Sequence, residues 1–400
     1  VSERDRVIAL IVATAIHIAA FAPTIGSSSS IITRGFWPQS ERILAGEKPY
    51  SDVDFEYPPL ALPLVVGPAA VSDGLGGYED AFEIEMLGFD LAIVAVLALA
   101  VPGPRRRVLE ALGVYTVGVV AVSGVVLGDS AIEGAPLALA RFDLAVALLL
   151  LGAVLAREAK RTTTWSALLG TATAVKAFPA LLFPSLLRGE RNPWQAVYTA
   201  LAPIAVAAGL VLGLGDEFGS AVSYHANRDL QIETLGATPL LVSHLLFGTD
   251  AASAIGAGGF NLAARGAGLA RGISIALTLA SAAALIYAGW VNTVRPLLTA
   301  TAVIAAIVVF APVLSPQFLL WVLPLSAVAY GAGRENLVLL ACFVLTEIVL
   351  HNYAGVENLA GDFVWPLAAR NALLVAYLVL VAIPVIAPAE RELDALPSTA

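Results

Sequence analysis

Three carboxylates stand at alternate positions in Pro49-Tyr-Ser-Asp52-Val-Asp54-Phe-Glu56-Tyr57-Pro58-Pro59. In an extended segment successive side chains take opposite sides, so Asp52, Asp54 and Glu56 would share one face. Pro58 and Pro59 fix their own φ and restrict the residue before each, which stiffens the chain as it leaves the segment. A carboxylate held beside low-dielectric surroundings can act as a general base. Three oxygen donors together could instead hold a divalent cation, a use that is possible here but not favoured. The plain competing reading is an acidic, solvated loop. Tyr50, Phe55 and Tyr57 alternate with the acids, which favours a shaped binding surface.

Other polar groups fall where the chain is otherwise apolar. Arg141 and Asp143 lie two residues apart at the start of an apolar run. They could neutralise each other, or the Arg could face a phosphate that the Asp helps to orient. Lys176 lies in Ala174-Val-Lys176-Ala-Phe-Pro179. A lysine isolated at membrane depth is costly, so it needs a partner or a water cavity, unless it snorkels to an interface. Tyr224-His225-Ala-Asn227-Arg228-Asp229-Leu-Gln231-Ile-Glu233 is dense in hydrogen-bonding groups and reads as sugar or phosphate contact, or as an ordinary hydrophilic loop. His17, Asp90 and Glu347 sit in apolar runs and read as internal hydrogen-bond partners or interfacial residues rather than catalysts.

The elements that must position these groups follow from composition. Of 400 residues, 58% are hydrophobic and 13% charged, and the mean hydropathy is +0.84. Apolar runs long enough to cross ~30 Å of hydrocarbon recur along the chain, which excludes an ordinary soluble domain. Cys342 is the only cysteine, so no disulfide framework or cysteine metal site is possible. The spacing predicts an all-α transmembrane bundle of about nine spans, forming a single domain over residues 1–387 with a tail over 388–400. Val7–Ile25 reads as a span rather than a cleaved signal.

Clusters at Arg105–Arg107, Arg157–Arg161 and Arg188–Arg191, with Arg295 and Arg334, mark the cytoplasmic side. Both termini then lie inside, and two long loops, 26–57 and 215–267, lie outside with most of the acids. Pro58–Ser72, short and rich in proline, reads as interfacial or re-entrant. Trp165–Leu187 has basic flanks at both ends and is broken by Pro179 and Pro184, which predicts a re-entrant pair of half-helices inside the bundle. No phosphate-binding loop or other nucleotide signature occurs, so an enzyme here would not use a soluble nucleotide donor.

Taken in order, several motifs resemble the polytopic GT-C glycosyltransferases of glycosyltransferase family 87. They are Gly46-Glu-Lys48-Pro49-Tyr50-Ser-Asp52, Glu56-Tyr57-Pro58-Pro59-Leu60, Arg141-Phe-Asp143, Lys176-Ala-Phe178-Pro179, Asn227-Arg228-Asp229-Leu-Gln231-Ile-Glu233 and Leu314-Ser315-Pro316-Gln317-Phe318-Leu-Leu-Trp321. Each is weak alone, but their order and spacing span most of the chain. Two positions depart from the family's pattern. Ile31–Trp37 lacks the further Asp that relatives often carry before Tyr-Pro-Pro, and Pro312 stands where a basic residue is common.

The resemblance implies interfacial helices in the first outer loop and inverting transfer of a hexose, typically mannose. The donor would be a polyprenyl-phosphate sugar and the acceptor an extracytoplasmic glycolipid or glycan. An Asp of the first outer loop would be the base, here Asp52 ahead of Asp54. Arg228, Arg141, Lys48, His225, Glu56, Tyr57, Glu233 and Gln317 would contact donor phosphate or sugar, with Asp143 and Lys176 in support. No cofactor or nucleic-acid partner is expected; membrane lipids are, in a bacterial-type plasma membrane. The rival expectation is a transporter or flippase of a lipid-linked sugar, which should place its polar groups near the midplane.

Overall fold

The computed structural model describes residues 2–27, 29–121, 136–214, 228–256 and 259–387. It is mostly helical, with fifteen α-helices among the described residues. Three of these helical segments, Glu3–Thr24, Ala267–Val291 and Gly361–Ile386, are long and apolar enough to cross a membrane. The 388–400 tail lies outside the described residues.

Helix α1 (Glu3–Phe21) begins where the Ser2 hydroxyl accepts the Asp5 amide at 3.1 Å, with Glu3 and Asp5 in its first turn. That is the capping and charge placement a helix N-terminus prefers. The first long loop contains a π-helical turn, Ile32–Phe36, and the short α2 (Trp37–Leu44). After Pro58 come a 3-10 turn and α3 (Leu62–Ala70), where a short proline-rich element was expected. Helix α4 (Gly74–Ala100) is closed by Arg6, which donates to the Ala98 and Val101 carbonyls at 2.9 and 3.0 Å. Helix α5 (Arg105–Ala121) starts after Pro102-Gly-Pro104. A buried network joins α1, α4 and α5. His17 Nδ1 meets Asp90 at 2.5 Å, the Tyr115 hydroxyl donates to Asp90 at 2.6 Å, and His17 Nε2 lies 2.9 Å from the Thr116 hydroxyl. This is the internal role expected of His17 and Asp90.

Helix α6 (Asp143–Glu158) is followed by α7 (Thr162–Val175), a 3-10 turn, Phe178–Leu182, and α8 (Phe183–Leu187). Pro179 cannot donate to a helical ladder and disfavours helix at Phe178, so α7 stops at Val175. The chain then folds back on itself. Thr162 and Trp165 at the start of α7 donate to Glu190 just beyond α8, at 2.8 and 3.1 Å. Arg157 at the end of α6 donates to the Leu186 carbonyl at 2.6 Å. Helix α9 (Pro193–Leu214) packs so closely on α7 that a Cβ at Gly170 would strike the Ala200 carbonyl.

In the second long loop lie α10 (Thr238–Phe247) and a hairpin of β1 (Ala251–Gly256) and β2 (Gly259–Ala264), paired antiparallel from Ala251↔Ala264. This hairpin departs from the all-α expectation.

Helices α11 (Ala267–Val291), α12 (Pro296–Phe310), α13 (Leu319–Tyr330), α14 (Arg334–His351) and α15 (Gly361–Ile386) complete the bundle. The core runs along α12 and α13: every side chain from Leu297 to Val309 and from Leu319 to Val328 is buried. Helix α11 instead turns Leu269, Ile273, Leu277 and Tyr287 outward.

Candidate functional site

The first loop closes into a hook before it reaches the bundle. The amides of Asp52 and Val53 donate to the Lys48 carbonyl at 2.9 and 3.1 Å, and Tyr50 donates to the Val53 carbonyl at 2.9 Å. One Asp52 carboxylate oxygen accepts the Lys48 amide at 2.9 Å. Tyr50 takes a left-handed φ of 72° and is 3% exposed. Such a backbone costs roughly 1–2 kcal/mol without glycine, and it is held by the Tyr50 hydroxyl donating to the Tyr57 carbonyl at 2.8 Å. Arg42, from α2, donates to the Asp52 carbonyl and pairs with Glu47.

From Val53 the chain is extended. Val53 and Phe55 are buried, Asp54 is exposed and Glu56 is half-buried. Asp52 belongs to the turn, where its side chain and backbone are hydrogen-bonded to Lys48. Asp52 and Asp54 both act electrostatically on Arg42, whereas Glu56 acts on Tyr57 and Lys176. The three carboxylates expected on one face are therefore divided between two surroundings.

Beyond Glu56 four segments meet. Asp143 opens α6, is buried, and accepts the Lys176 ammonium at 2.5 Å and the Trp321 indole N–H at 2.6 Å. Lys176 stands at the break after α7, in an extended conformation that turns it off the helix. Its side chain is 14% exposed. The ammonium lies 5.0 Å from the Trp321 ring centre, 5.1 Å from Phe142, 5.3 Å from Phe318 and 5.9 Å from Tyr57. These distances suit cation–π attraction, which is strongest where water is excluded. Lys176 is thus paired and enclosed, which settles the choice between partner and snorkelling.

The Trp321 indole is stacked between Phe178 and Phe318, with ring centres at 3.9 and 4.0 Å, so the donor to Asp143 is fixed in direction. Tyr57 packs edge-on against Phe142 at 4.7 Å and its hydroxyl is bonded to Glu56. Burial, reinforced by the Glu56 charge, holds the Tyr57 phenol well above its ordinary pKa, against a smaller opposing pull from Arg141. Glu56 and Arg141 also act electrostatically on Lys176. The cluster therefore holds two acids and two bases, and its formal charge is zero.

The second loop docks on the turn before α13. The Gln231 amide donates to the Pro312 carbonyl at 3.1 Å, and Ile232 to Phe260 of the hairpin at 3.0 Å. Gln317 is buried in the 3-10 turn Pro316–Phe318, one residue before the Phe318 ring. Arg228 is half-buried, and its carbonyl accepts from Arg271 at 2.7 Å. Lys48 is exposed at the hook. His225 lies outside the described residues.

Glu233, expected to contact substrate, is bonded to the scaffold. It is buried, pairs with Arg370 at 3.1 Å and accepts the Tyr353 hydroxyl at 3.2 Å. Arg370 also donates to the Glu233 carbonyl at 2.6 Å, and Asn371 bonds that carbonyl and Thr238 at 3.1 and 2.8 Å. Sequence reasoning missed Arg370, although an arginine inside the apolar run Trp365–Ala387 is itself a signal that demands a partner. It missed Arg42 as well, because a surface arginine carries no such signal. Among the described residues no group of three His, Cys, Asp or Glu side chains is arranged to hold a metal ion. No protein-family model matches the chain, and no curated protein sequence matches it.

Proposed function

We propose that the chain is a multi-pass membrane glycosyltransferase, moving a hexose such as mannose from a polyprenyl-phosphate donor to an extracytoplasmic glycolipid or glycan. One observation carries this reading. Segments far apart in sequence, ending in Glu56–Tyr57, Arg141–Asp143, Lys176 and Phe318–Trp321, converge on one enclosed charged cluster. These are the segments whose motifs resemble the family 87 enzymes. An intramembrane ionisable group is retained where it serves a path or a site.

The reading includes about nine spans, with α7 and α8 as a re-entrant pair. The contacts that bring the start of α7 and the end of α8 together at Glu190 support that pair. The active site then lies on the extracytoplasmic side, under the hook and the docked second loop.

In the reaction, Asp52 or Asp54 takes the proton of the acceptor hydroxyl as its oxygen attacks the anomeric carbon. A new glycosidic C–O bond forms, the bond from that carbon to the donor phosphate oxygen breaks, and configuration inverts. Polyprenyl phosphate leaves as the anion. Asp52 spends one oxygen on the Lys48 amide, whereas the Asp54 carboxylate makes no hydrogen bond among the described residues, which gives Asp54 an equal claim. The cluster is already charge-balanced, so the leaving phosphate needs a further cation, for which Arg228 and Lys48 are candidates. Tyr57 keeps its proton and, through its bond to Glu56, holds that carboxylate in place.

The test is incubation of membranes containing the protein with radiolabelled polyprenyl-phosphate mannose. The expected result is label in a new product, lost when Asp52→Asn and Asp54→Asn are combined. Protein-dependent movement of the lipid with no labelled product would replace this reading with the flippase.

A further inference from the structure

Among described side chains that are at least nine-tenths buried, Ser29, Glu83, Gln231 and Gln317 each carry an oxygen with no hydrogen-bond partner. A buried polar atom left unpaired costs roughly 1–3 kcal/mol, so each calls for an explanation. Glu83 can bind a proton at its open oxygen, and Ser29 can turn its hydroxyl. An amide oxygen can do neither. It is a fixed acceptor and needs a donor from outside the chain.

Both glutamines belong to one junction. The Gln231 backbone donates to the Pro312 carbonyl at 3.1 Å, at the near end of the connection from α12 to α13. Gln317 lies at the far end of the same connection, beside Phe318, which walls the Lys176 cluster. The Gln231 amide is backed by Gly259, where a Cβ would come within 3.2 Å of its nitrogen, so the hairpin holds the side chain in place.

From this we infer that Gln231 and Gln317 form a subsite for the hydroxyl groups of a neutral sugar ring, next to the charged cluster. A hydroxyl donates and accepts, and so does a primary amide, so the two match at both atoms. A phosphate oxygen is an acceptor and leaves the amide oxygens unmet. The inference rests on the glycosyltransferase reading and adds to it. The donor's phosphate and the sugar hydroxyls are read by different residues, and Gln231, which sequence reasoning gave no separate role, joins Gln317.

The full-length protein in lipid nanodiscs can be titrated with methyl α-mannopyranoside and observed by saturation-transfer NMR, with inorganic phosphate as competitor. Wild type is expected to bind the glycoside saturably, without competition from phosphate. Gln231→Met and Gln317→Met, similar in size but lacking the amide, should each weaken binding roughly fivefold, as loss of a hydrogen bond requires. Gln231→Glu and Gln317→Glu, which keep an acceptor oxygen, should bind better than the Met variants. These also serve if a Met variant fails to fold.

Absence of saturable binding by wild type, binding by both Met variants as tight as that of wild type, or displacement by phosphate would overturn the subsite, with ordered water then satisfying the two oxygens. Sugar transfer by wild type alongside any of these results would sink the subsite alone. Glycoside binding without any transfer would sink the enzymatic reading instead.

Discussion

Two buried ion pairs, Arg370–Glu233 and Lys176–Asp143, look alike as distances and differ in what surrounds them. Arg370 is closed in. Its side chain is 1% exposed, and its guanidinium is divided among the Glu233 carboxylate, the Glu233 carbonyl and Asn371. These contacts fasten the second loop to α15. Lys176 has one carboxylate, four aromatic faces and a side chain that is 14% exposed. Aromatic faces attract a cation without using a directed acceptor, so the ammonium keeps hydrogen-bonding capacity. The first pair is a fastening, and the second keeps partial exposure and spare hydrogen-bonding capacity.

The contrast can be broken at several points, beginning with the largest effect. Replacing Arg370 by Met strands Glu233 in a dry site, and breaking a buried pair from one side costs about 3–5 kcal/mol. The expected outcome is a large fall in thermal stability, read as loss of monodisperse protein in detergent on heating. Wild-type stability would show that the pair is no fastening.

A smaller effect is expected from Trp321→Phe. The ring stack on Phe178 and Phe318 survives while Asp143 loses its N–H donor, for a cost of about 1–3 kcal/mol. The same thermal assay should show a modest fall, and transfer should fall further than stability because Asp143 no longer holds Lys176 in place. Equal falls in both would make Trp321 a packing residue only.

Smallest of all is the expected effect of EDTA. Because Asp52 and Asp54 lie by Arg42 and Glu56 by Lys176, the three carboxylates are not gathered as ligands, and transfer should continue at the untreated rate. Loss on chelation, restored by a divalent cation, would return the carboxylates to metal binding.

Much of the site was legible because charge in an apolar run is expensive. Lys176, Arg141 and Asp143 each stood out for that reason, and the structure brings them together. Arg370 obeyed the same rule and could have been found by it. The hook was less legible: the i, i+2, i+4 pattern fits an extended strand, but Gly46 and Pro49 favour a turn, and the turn's hydrogen bonds took Asp52. Depth within the bundle was not legible at all. In a bilayer both the lipid face and the protein face of a helix are apolar, so periodicity does not reveal which helix is central. The helices α12 and α13, short by length, turn out to be the most enclosed. The β1–β2 hairpin was signalled by Gly256-Ala-Gly-Gly259 and was overlooked among stronger helical signals.

The most direct test of the account is sugar transfer by Lys176→Met, expressed per folded molecule and compared with wild type. Methionine keeps the length of the side chain inside the ring of aromatics and removes its charge. Removal of one preorganised charge at a reacting centre lowers rates by about 10²–10³-fold. That loss, in protein that still folds, is the predicted result. Transfer at the wild-type rate would contradict the placement of the chemistry at the Lys176–Asp143 cluster.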